Sequence, residues 1–236
     1  MQSIIKPGFL GWLTLAIVVS LMQLNVVDAG DAPAMADTGM EAGIFAVKDK
    51  DYPRAFTLFT ALAEAGNAEA QYNLAMLYRT GKGTQKDLSA SYAWFRRAAD
   101  QGVPDAQYYV GYMFDSGEGV EKNPMYASAW YRKAAEQGNG LAQINLGLLY
   151  ANGEGMQQDI EQAYLWFHVA AAQGYKIAFA NKDIIEEAIK NQEDGDAKMD
   201  ALKKRARIFF QQYVEPFSQP PRLHKAPQTS LQTSPH

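Results

Sequence analysis

Three consecutive segments of the chain are near copies of one another, and this repetition constrains the fold more than any other feature. The copies span residues 67–102, 103–138 and 139–174 and align without a gap at a period of 36 residues. An Ala-Gln pair, two loop glycines, a tryptophan, an Ala-Ala pair and a final Gln-Gly return at fixed places in each copy. Units of this length cannot bury their apolar faces alone and must stack on their neighbours. The sequence therefore predicts a repeat protein.

Each copy carries the pattern of a helix, a glycine loop and a second helix. In the central copy, apolar residues from Ala106 to Phe114 recur every three or four positions, as on one face of a helix. Gly117 and Gly119 then interrupt the pattern, because paired glycines favour a tight loop with positive φ. A second helical pattern covers about residues 124–137. Stacked hairpins of this kind predict an all-α fold, an α/α solenoid that winds into a right-handed superhelix with a concave face.

The residue strings of the first copy resemble a known repeat. AQYNLAMLY, then G-K-G, then A-W-F-x-x-A-A-x-Q-G, all within residues 67–102, are similar to the Sel1-like repeat, a relative of the tetratricopeptide repeat. With partial units at both ends, the resemblance extends over about residues 40–213. It implies an all-α solenoid that usually acts as an adaptor or a regulator rather than as a catalyst.

The units at the two ends depart from the repeat, as terminal units of a solenoid do because one of their faces meets water. Residues 40–66 are interpreted as a degenerate tetratricopeptide-like unit, in which Leu58 stands at the position of Trp94. Residues 175–215 are predicted to form two capping helices, of which the second is amphipathic. Its apolar stripe is Met199, Leu202, Ala206, Phe209 and Tyr213, and its basic side is Lys198, Lys203, Lys204, Arg205 and Arg207.

The N-terminal segment has the features of an export signal. Lys6 precedes a long apolar run, and the small residues at 27–29 suit cleavage, which makes residues 1–29 a predicted signal peptide. Residues 34–36 offer a second cleavage site, and an uncleaved membrane anchor formed by residues 8–27 is the alternative. Under either interpretation we expect the repeats to be exported, with the protein periplasmic, secreted or held at the membrane.

Two further segments are predicted to lack a fixed structure. Residues 30–39 are small and acidic and are interpreted as a flexible lead-in to the first helix. Residues 216–236 contain five prolines among serine, threonine and glutamine, a composition that is typical of a disordered tail.

The chain offers few of the residues on which catalysis depends. Cysteine is absent, which excludes disulfides, thiol nucleophiles and cysteine-ligated metals, and only three histidines are present. The loop Gly81-Lys82-Gly83-Thr84 lies between two predicted helices rather than between a strand and a helix, so it is a repeat loop and not a phosphate-binding loop. A net charge of −4 gives no signal for nucleic acid. We therefore predict no catalytic residue, no metal site and no cofactor.

The first helix of each copy is expected to line the concave face. If Leu74, Val110 and Leu146 pack inward, their helices present tyrosine, methionine and charged side chains to a partner. The alternative is that these side chains pack between neighbouring first helices. The predicted partner-binding residues are Glu69, Tyr72, Met76, Arg79, Asp105, Tyr108, Tyr112, Asp115, Ile144 and Leu148, and Leu141 and Ala151 share the same face.

The function that these features favour is an adaptor or regulator that binds another envelope protein through its concave face. A cell-wall or β-lactam hydrolase is an alternative, since such activity is linked to cysteine-rich relatives, but the cysteines and nucleophile motifs are missing here. A structural tether that uses the basic last helix is the third possibility. We expect membrane contact only through an uncleaved N-terminal segment or that helix, and the sequence specifies neither the partner nor the oligomeric state.

Overall fold

The structure is a computed structural model that describes residues 32–218, and in this part of the chain every regular element is a helix. The helices are α1 (Ala32–Lys48), α2 (Tyr52–Glu64), α3 (Ala68–Thr80), α4 (Leu88–Asp100), α5 (Pro104–Ser116), α6 (Pro124–Glu136), α7 (Gly140–Asn152), α8 (Ile160–Ala172), α9 (Lys176–Lys190), α10 (Gly195–Tyr213) and α11 (Glu215–Ser218). Each of the three copies is one hairpin, α3–α4, α5–α6 and α7–α8. The predicted all-α solenoid of helical hairpins is confirmed.

Side-chain caps fix where most of the repeat helices begin. Asn67, Asp87, Asn123, Asn139 and Asp159 each accept a hydrogen bond, at 2.8–3.2 Å, from the backbone N–H three residues later. Such a cap satisfies a backbone donor that has no partner inside the helix. At the opposite ends, α3, α5 and α7 stop at a glycine in the left-handed conformation, which closes the helix with a bond to its last turn.

The second glycine of each loop lies where successive hairpins touch. A Cβ atom on Gly119 would lie 2.7 Å from the carbonyl oxygen of Leu88, at the start of α4. A Cβ on Gly155 would lie 2.5 Å from the carbonyl oxygen of Pro124, at the start of α6. Gly83 approaches the backbone of Tyr52 in the same way. The loop glycines therefore serve the stacking of the repeats, as the sequence interpretation of residues 81–84 requires.

A ladder of glutamines joins consecutive hairpins. Within each hairpin, a glutamine at the end of the second helix donates through Nε2 to Oε1 of a glutamine on the first helix, in every case at 2.7 Å: Gln101 to Gln71, Gln137 to Gln107 and Gln173 to Gln143. The accepting glutamines are buried and donate in turn to a backbone carbonyl of the preceding hairpin. Buried amides that are fully paired add specificity of packing, so the recurring Ala-Gln and Gln-Gly pairs are structural.

Helices pack mainly on their neighbours in sequence, as expected for a solenoid, and α10 is the notable exception. The buried residues Met199, Leu202 and Ala206 join the core formed with α8 and α9, as the predicted apolar stripe requires. Farther along α10, the rings of Phe209 and Tyr213 lie 4.7 Å and 5.2 Å from the ring of Trp166 on α8. The last long helix therefore crosses over the second helix of the final repeat.

The two ends of the described chain refine the predicted boundaries. α1 begins at Ala32, so most of the stretch 30–39 is helical rather than a flexible lead-in. The short helix α11 occupies the first residues of the predicted tail. The predicted signal peptide and residues 219–236 lie outside the described residues. Within residues 32–218, none of the helices combines the length and the apolar character that crossing a bilayer requires.

Candidate protein-binding face

The surface formed by the first helices of the hairpins, α3, α5, α7 and α9, is called here the first-helix face. Glu69 and Asp105 are exposed on it, at the starts of their helices. The larger predicted contacts are half-buried: Tyr72, Met76, Arg79, Tyr108, Tyr112 and Asp115. Each of these side chains thus packs partly against its neighbours and is partly open to solvent. The structure therefore contains elements of both alternatives, packing between first helices and exposure to a partner.

Ile144 is a correction to the predicted set. Its side chain is only 4% exposed and packs in the core that α8 and α9 form around Tyr164. Tyr72 and Tyr108 stand at the same position of the two earlier repeats and are half-buried. An aliphatic side chain has no polar tip and is buried completely when the next helix packs over it. Leu148, one turn later, is exposed, as predicted.

An aromatic cluster forms where α3 meets α5, and Tyr109 is its centre. The Tyr109 ring stacks on Phe95 with the ring centroids 4.8 Å apart and an angle of 12° between the planes. It also contacts the rings of Tyr72 at 6.0 Å and Tyr108 at 5.1 Å. Sequence reasoning missed Tyr109. The available signal was the departure from the repeat, because the other copies have asparagine at this position.

Arg79 links this aromatic cluster to Glu118, in the loop that follows α5. Its guanidinium carbon lies 5.2 Å from the ring centre of Tyr109 and 5.1 Å from that of Tyr112. Its Nε and Nη2 atoms each donate to a carboxylate oxygen of Glu118 at 3.0 Å, and this bond raises the pKa of Arg79. A two-pronged pair of this kind fixes the side chain more firmly than a single contact would. The planar cation is therefore pre-positioned between two tyrosine rings.

Two tyrosine hydroxyls of the face, those of Tyr72 and Tyr108, remain protonated at any physiological pH. Burial raises the pKa of Tyr72 to about 12 and also raises the pKa of Tyr108. Tyr131 behaves similarly: burial raises its pKa, and its hydroxyl donates to Oδ2 of Asp115 at 3.3 Å. Asp115 is thus already engaged within the chain. The phenol groups of Tyr72, Tyr108 and Tyr131 can therefore donate hydrogen bonds but do not act as bases.

The other half of the face is aliphatic. Leu148 on α7 is 37% exposed, and Ile184, one repeat later at the same position, is 65% exposed. Leu141 and Ile177 form a second such pair and are also exposed. Exposed large apolar side chains at matching positions of adjacent helices are a feature of interaction surfaces. The face therefore changes from aromatic and charged at α3–α5 to aliphatic at α7–α9.

The basic side of α10, which the sequence suggested as a tether, is partly paired with acidic side chains. Arg205 forms a salt bridge with Glu161 on α8. Burial raises the pKa of Glu186 on α9, but hydrogen bonds from Tyr164 and Lys182 bring it below its usual value, and Lys203 lies near enough to lower it further. One of the five basic side chains is thus salt-bridged within the chain, and a second lies near a carboxylate that Tyr164 and Lys182 already engage.

The geometry provides recognition chemistry: phenol donors, one clamped guanidinium, carboxylates and exposed aliphatic groups. Within residues 32–218, histidine and carboxylate side chains form no group of three or more that could hold a metal ion. The fold is thus an α/α solenoid, and the first-helix face is an extended surface along it.

The Sel1 repeat matches the chain four times, at residues 32–67, 68–103, 104–139 and 140–175. This chain belongs to the Sel1 repeat family, whose members generally mediate protein–protein interactions. The first match begins at α1 and includes residues 40–66, which the sequence analysis interpreted as a degenerate tetratricopeptide-like unit.

Two solved structures illustrate the similarity. A Sel1 repeat protein from Oxalobacter formigenes is 29% identical, with a TM-score of 0.61, over 71% of this chain and 72% of that protein. A protective antigen present in uropathogenic Escherichia coli strains is 34% identical, with a TM-score of 0.58, over 69% of this chain. The match spans 33% of that antigen's length. A search among curated proteins gave no match.

Proposed function

We propose that this protein is an exported adaptor whose first-helix face binds a segment of another cell-envelope protein. Interaction with other proteins is the general role of its family. Export to the cell envelope and binding through the first-helix face go beyond that general role.

The observation that carries the proposal is the half-exposed cluster of Tyr72, Tyr108, Tyr109 and Tyr112 with Arg79. Binding energy at protein interfaces concentrates in a few residues, and tyrosine and arginine are enriched among them. Arg79 is already held by Glu118 and by the two tyrosine rings. Little side-chain freedom remains to be lost when a partner binds, so the cost of association is low.

The two halves of the face indicate the chemistry of the partner segment. Leu148 and Ile184 present aliphatic surface that favours leucine-like or valine-like side chains. Glu69 and Asp105 place negative charge at the exposed starts of α3 and α5, which favours basic residues at that end. We therefore expect a segment with an aliphatic part and a polar or basic part.

The position of α1 favours one of the two candidate cleavage sites. Cleavage after residue 29 leaves α1 complete, because the helix begins at Ala32. Cleavage after residue 36 would remove its first turn and shorten the first Sel1 repeat. Fusion of residues 1–40 to a reporter that is active only outside the cytoplasm should give activity, and the mature protein should begin near Gly30. A protein that keeps Met1 in the membrane fraction would instead support the anchor.

Site-specific photo-crosslinking in intact cells tests the face directly. A benzophenone amino acid placed at Leu148 or at Ile184 should capture the same protein, because both positions lie on the first-helix face. The control position is Ile208 on α10, which is 65% exposed, as is Ile184, and lies beside Gln162 and Leu165 of the second helix α8. Equal capture of that protein from all three positions, or capture from none of them, would contradict the proposal.

A further inference from the structure

The recurring tryptophans have different surroundings on the second-helix side of the solenoid. Trp166 on α8 is covered by Phe209 and Tyr213, the aromatic residues of α10. Burial raises the pKa of Tyr213, and Glu136 and Arg132 on α6 lie close enough to act on the same hydroxyl. The C-terminal half of α10 therefore fills the groove between α6 and α8. The chain itself shows what kind of element such a groove accepts: an amphipathic helix with two aromatic side chains four residues apart.

One repeat earlier, the equivalent groove is open. It lies between α4 and α6, is called here the α4–α6 groove, and has a volume of about 560 Å³. Its lining residues are Tyr92, Arg96, Phe114, Tyr126, Ala129, Trp130 and Lys133. Arg96 and Trp130 stand 36 residues before Arg132 and Trp166, the groups that lie against the end of α10. No element within residues 32–218 fills this groove as α10 fills the next one.

The open groove is aromatic and carries two cations. The guanidinium carbon of Arg96 lies 4.9 Å from the centre of the Trp130 ring, and Nζ of Lys133 lies 4.0 Å from it. Phe114 contacts the rings of Tyr92 and Tyr126 on either side. Arg96 also pairs with Asp100, whereas no salt bridge between described side chains involves Lys133. The groove therefore favours a partner with apolar rings and negative charge.

Among the grooves between the successive second helices α2, α4, α6 and α8 of the described chain, only the α4–α6 groove joins this aromatic lining to two cations. In the preceding groove, between α2 and α4, the positions of Arg96 and Tyr126 are taken by Thr60 and Ala90. In the following groove, Lys133 is replaced by Val169 and α10 occupies the space. The α4–α6 groove thus combines an open aromatic surface with two positive charges.

We propose that the α4–α6 groove binds an acidic amphipathic helix of a partner protein, with two aromatic or large aliphatic side chains against Trp130 and a carboxylate near Lys133 and Arg96. The site lies on the second helices and is separate from the first-helix face, so it does not depend on the function proposed above. A second copy of the chain fits less well, because its α10 is basic and already packed in its own groove. The chain's own residues 219–236 contain Arg222 and Lys225 but no acidic residue.

The test uses two labelled synthetic peptides and fluorescence anisotropy with the full chain. One peptide copies residues 199–214, and the other has the same sequence with Lys203, Lys204, Arg205 and Arg207 replaced by glutamate. The acidic peptide should bind about tenfold or more tightly than the basic one, and its affinity should fall as salt is added. The double charge reversal Arg96→Glu with Lys133→Glu should invert this preference.

Variants with matched controls locate the binding site. Lys133→Glu and Tyr126→Ala should each weaken binding of the acidic peptide by about tenfold. Arg97→Glu, at the position of Lys133 in the preceding groove, and Gln162→Ala, at the position of Tyr126 in the following groove, should change it by less than about twofold. Circular dichroism of each variant checks that it is folded.

Three outcomes would overturn the proposal. One is the absence of binding of the acidic peptide to the wild-type chain. Another is binding that is lost in Gln162→Ala but kept in Lys133→Glu, because the peptide would then be displacing α10. The third is self-association of the chain that Lys133→Glu abolishes, because the occupant would then be a second copy.

Discussion

At the scale of single residues, the two glycines of a repeat loop have different roles. Both have positive φ, 77° at Gly117 and 76° at Gly119. A Cβ on Gly117 would meet the side chain of Lys122 at an ordinary 3.5 Å, whereas a Cβ on Gly119 would lie 2.7 Å from the carbonyl oxygen of Leu88. The first glycine ends a helix, and the second permits two hairpins to stack.

We therefore predict that Gly119→Ala destabilises the protein more than Gly117→Ala. Each substitution introduces a left-handed alanine, at a cost of about 1–2 kcal/mol in the free energy of unfolding. Gly119→Ala adds a clash with backbone that cannot move without separating the hairpins, and we expect at least about 1 kcal/mol more. Urea unfolding of both variants measures the difference. Equal urea midpoints would show that the close contact between Gly119 and the backbone of Leu88 does not contribute to stability.

His168 gives the fold a dependence on pH. Burial lowers its pKa, Lys182 on α9 lowers it further, and Glu186 opposes them, while the Tyr164 ring lies 5.9 Å away. Because the folded pKa is below the unfolded one, the unfolded chain takes up the proton first as the pH falls. The folded state is therefore expected to lose stability as the pH falls through the ordinary histidine pKa near about 6.5.

The urea midpoint should decrease between about pH 7.5 and about pH 5.5, above the range in which carboxylates titrate. His168→Gln removes this titration, so its midpoint should change less over the same interval. Parallel pH profiles of the wild type and the variant would contradict the assignment to His168.

At the scale of elements, the closing helix α10 stabilises the last repeat by covering it. The rings of Phe209 and Trp166 meet edge to face, and Tyr213 lies against the same indole. We predict that Phe209→Ala lowers the free energy of unfolding by about 2–4 kcal/mol, since this half-buried ring is lost from the α8–α10 contact. Ile208→Ala, on the adjacent and exposed position, should cost less than about 0.5 kcal/mol. Similar losses in both variants would mean that α10 is not docked as described.

The elements were largely predictable from the sequence, because a fixed period locates helices, loops and glycines together. The N-terminal start of α1 was missed, since the small residues around Ala32 carry no helical stripe. The apolar stripe of α10 identified its buried side, but a stripe does not tell which helix it covers, and the crossing over Trp166 was not foreseen. On the first-helix face, one helix phase predicted ten partner-binding residues; Ile144 is buried in the core, and partner binding by the others stays a prediction. The same phase passed over Tyr109, because its ring turns toward Phe95 on the second helix.

At the scale of the whole molecule, the solenoid separates its stacking interactions from its candidate binding surfaces. Loop glycines and the buried glutamines that donate to a backbone carbonyl of the preceding hairpin repeat along the chain and hold neighbouring hairpins together. The surface residues vary from one repeat to the next, from Met76 through Tyr112 and Leu148 to Ile184 at one position. In a protein built from nearest-neighbour contacts, such positions can change without altering the fold. The central claim is that this varied first-helix face binds the partner.

The most direct measurement compares partner binding with stability for Ile184→Asp and Ile208→Asp. Both side chains are 65% exposed, so each variant should melt within about 2–4 °C of the wild type, equivalent to about 1 kcal/mol or less. In quantitative copurification from envelope extracts, Ile184→Asp should lose the partner, because a charge then faces its aliphatic part, and Ile208→Asp should retain it. Native melting with the partner retained by both variants, or lost from both, would contradict the account.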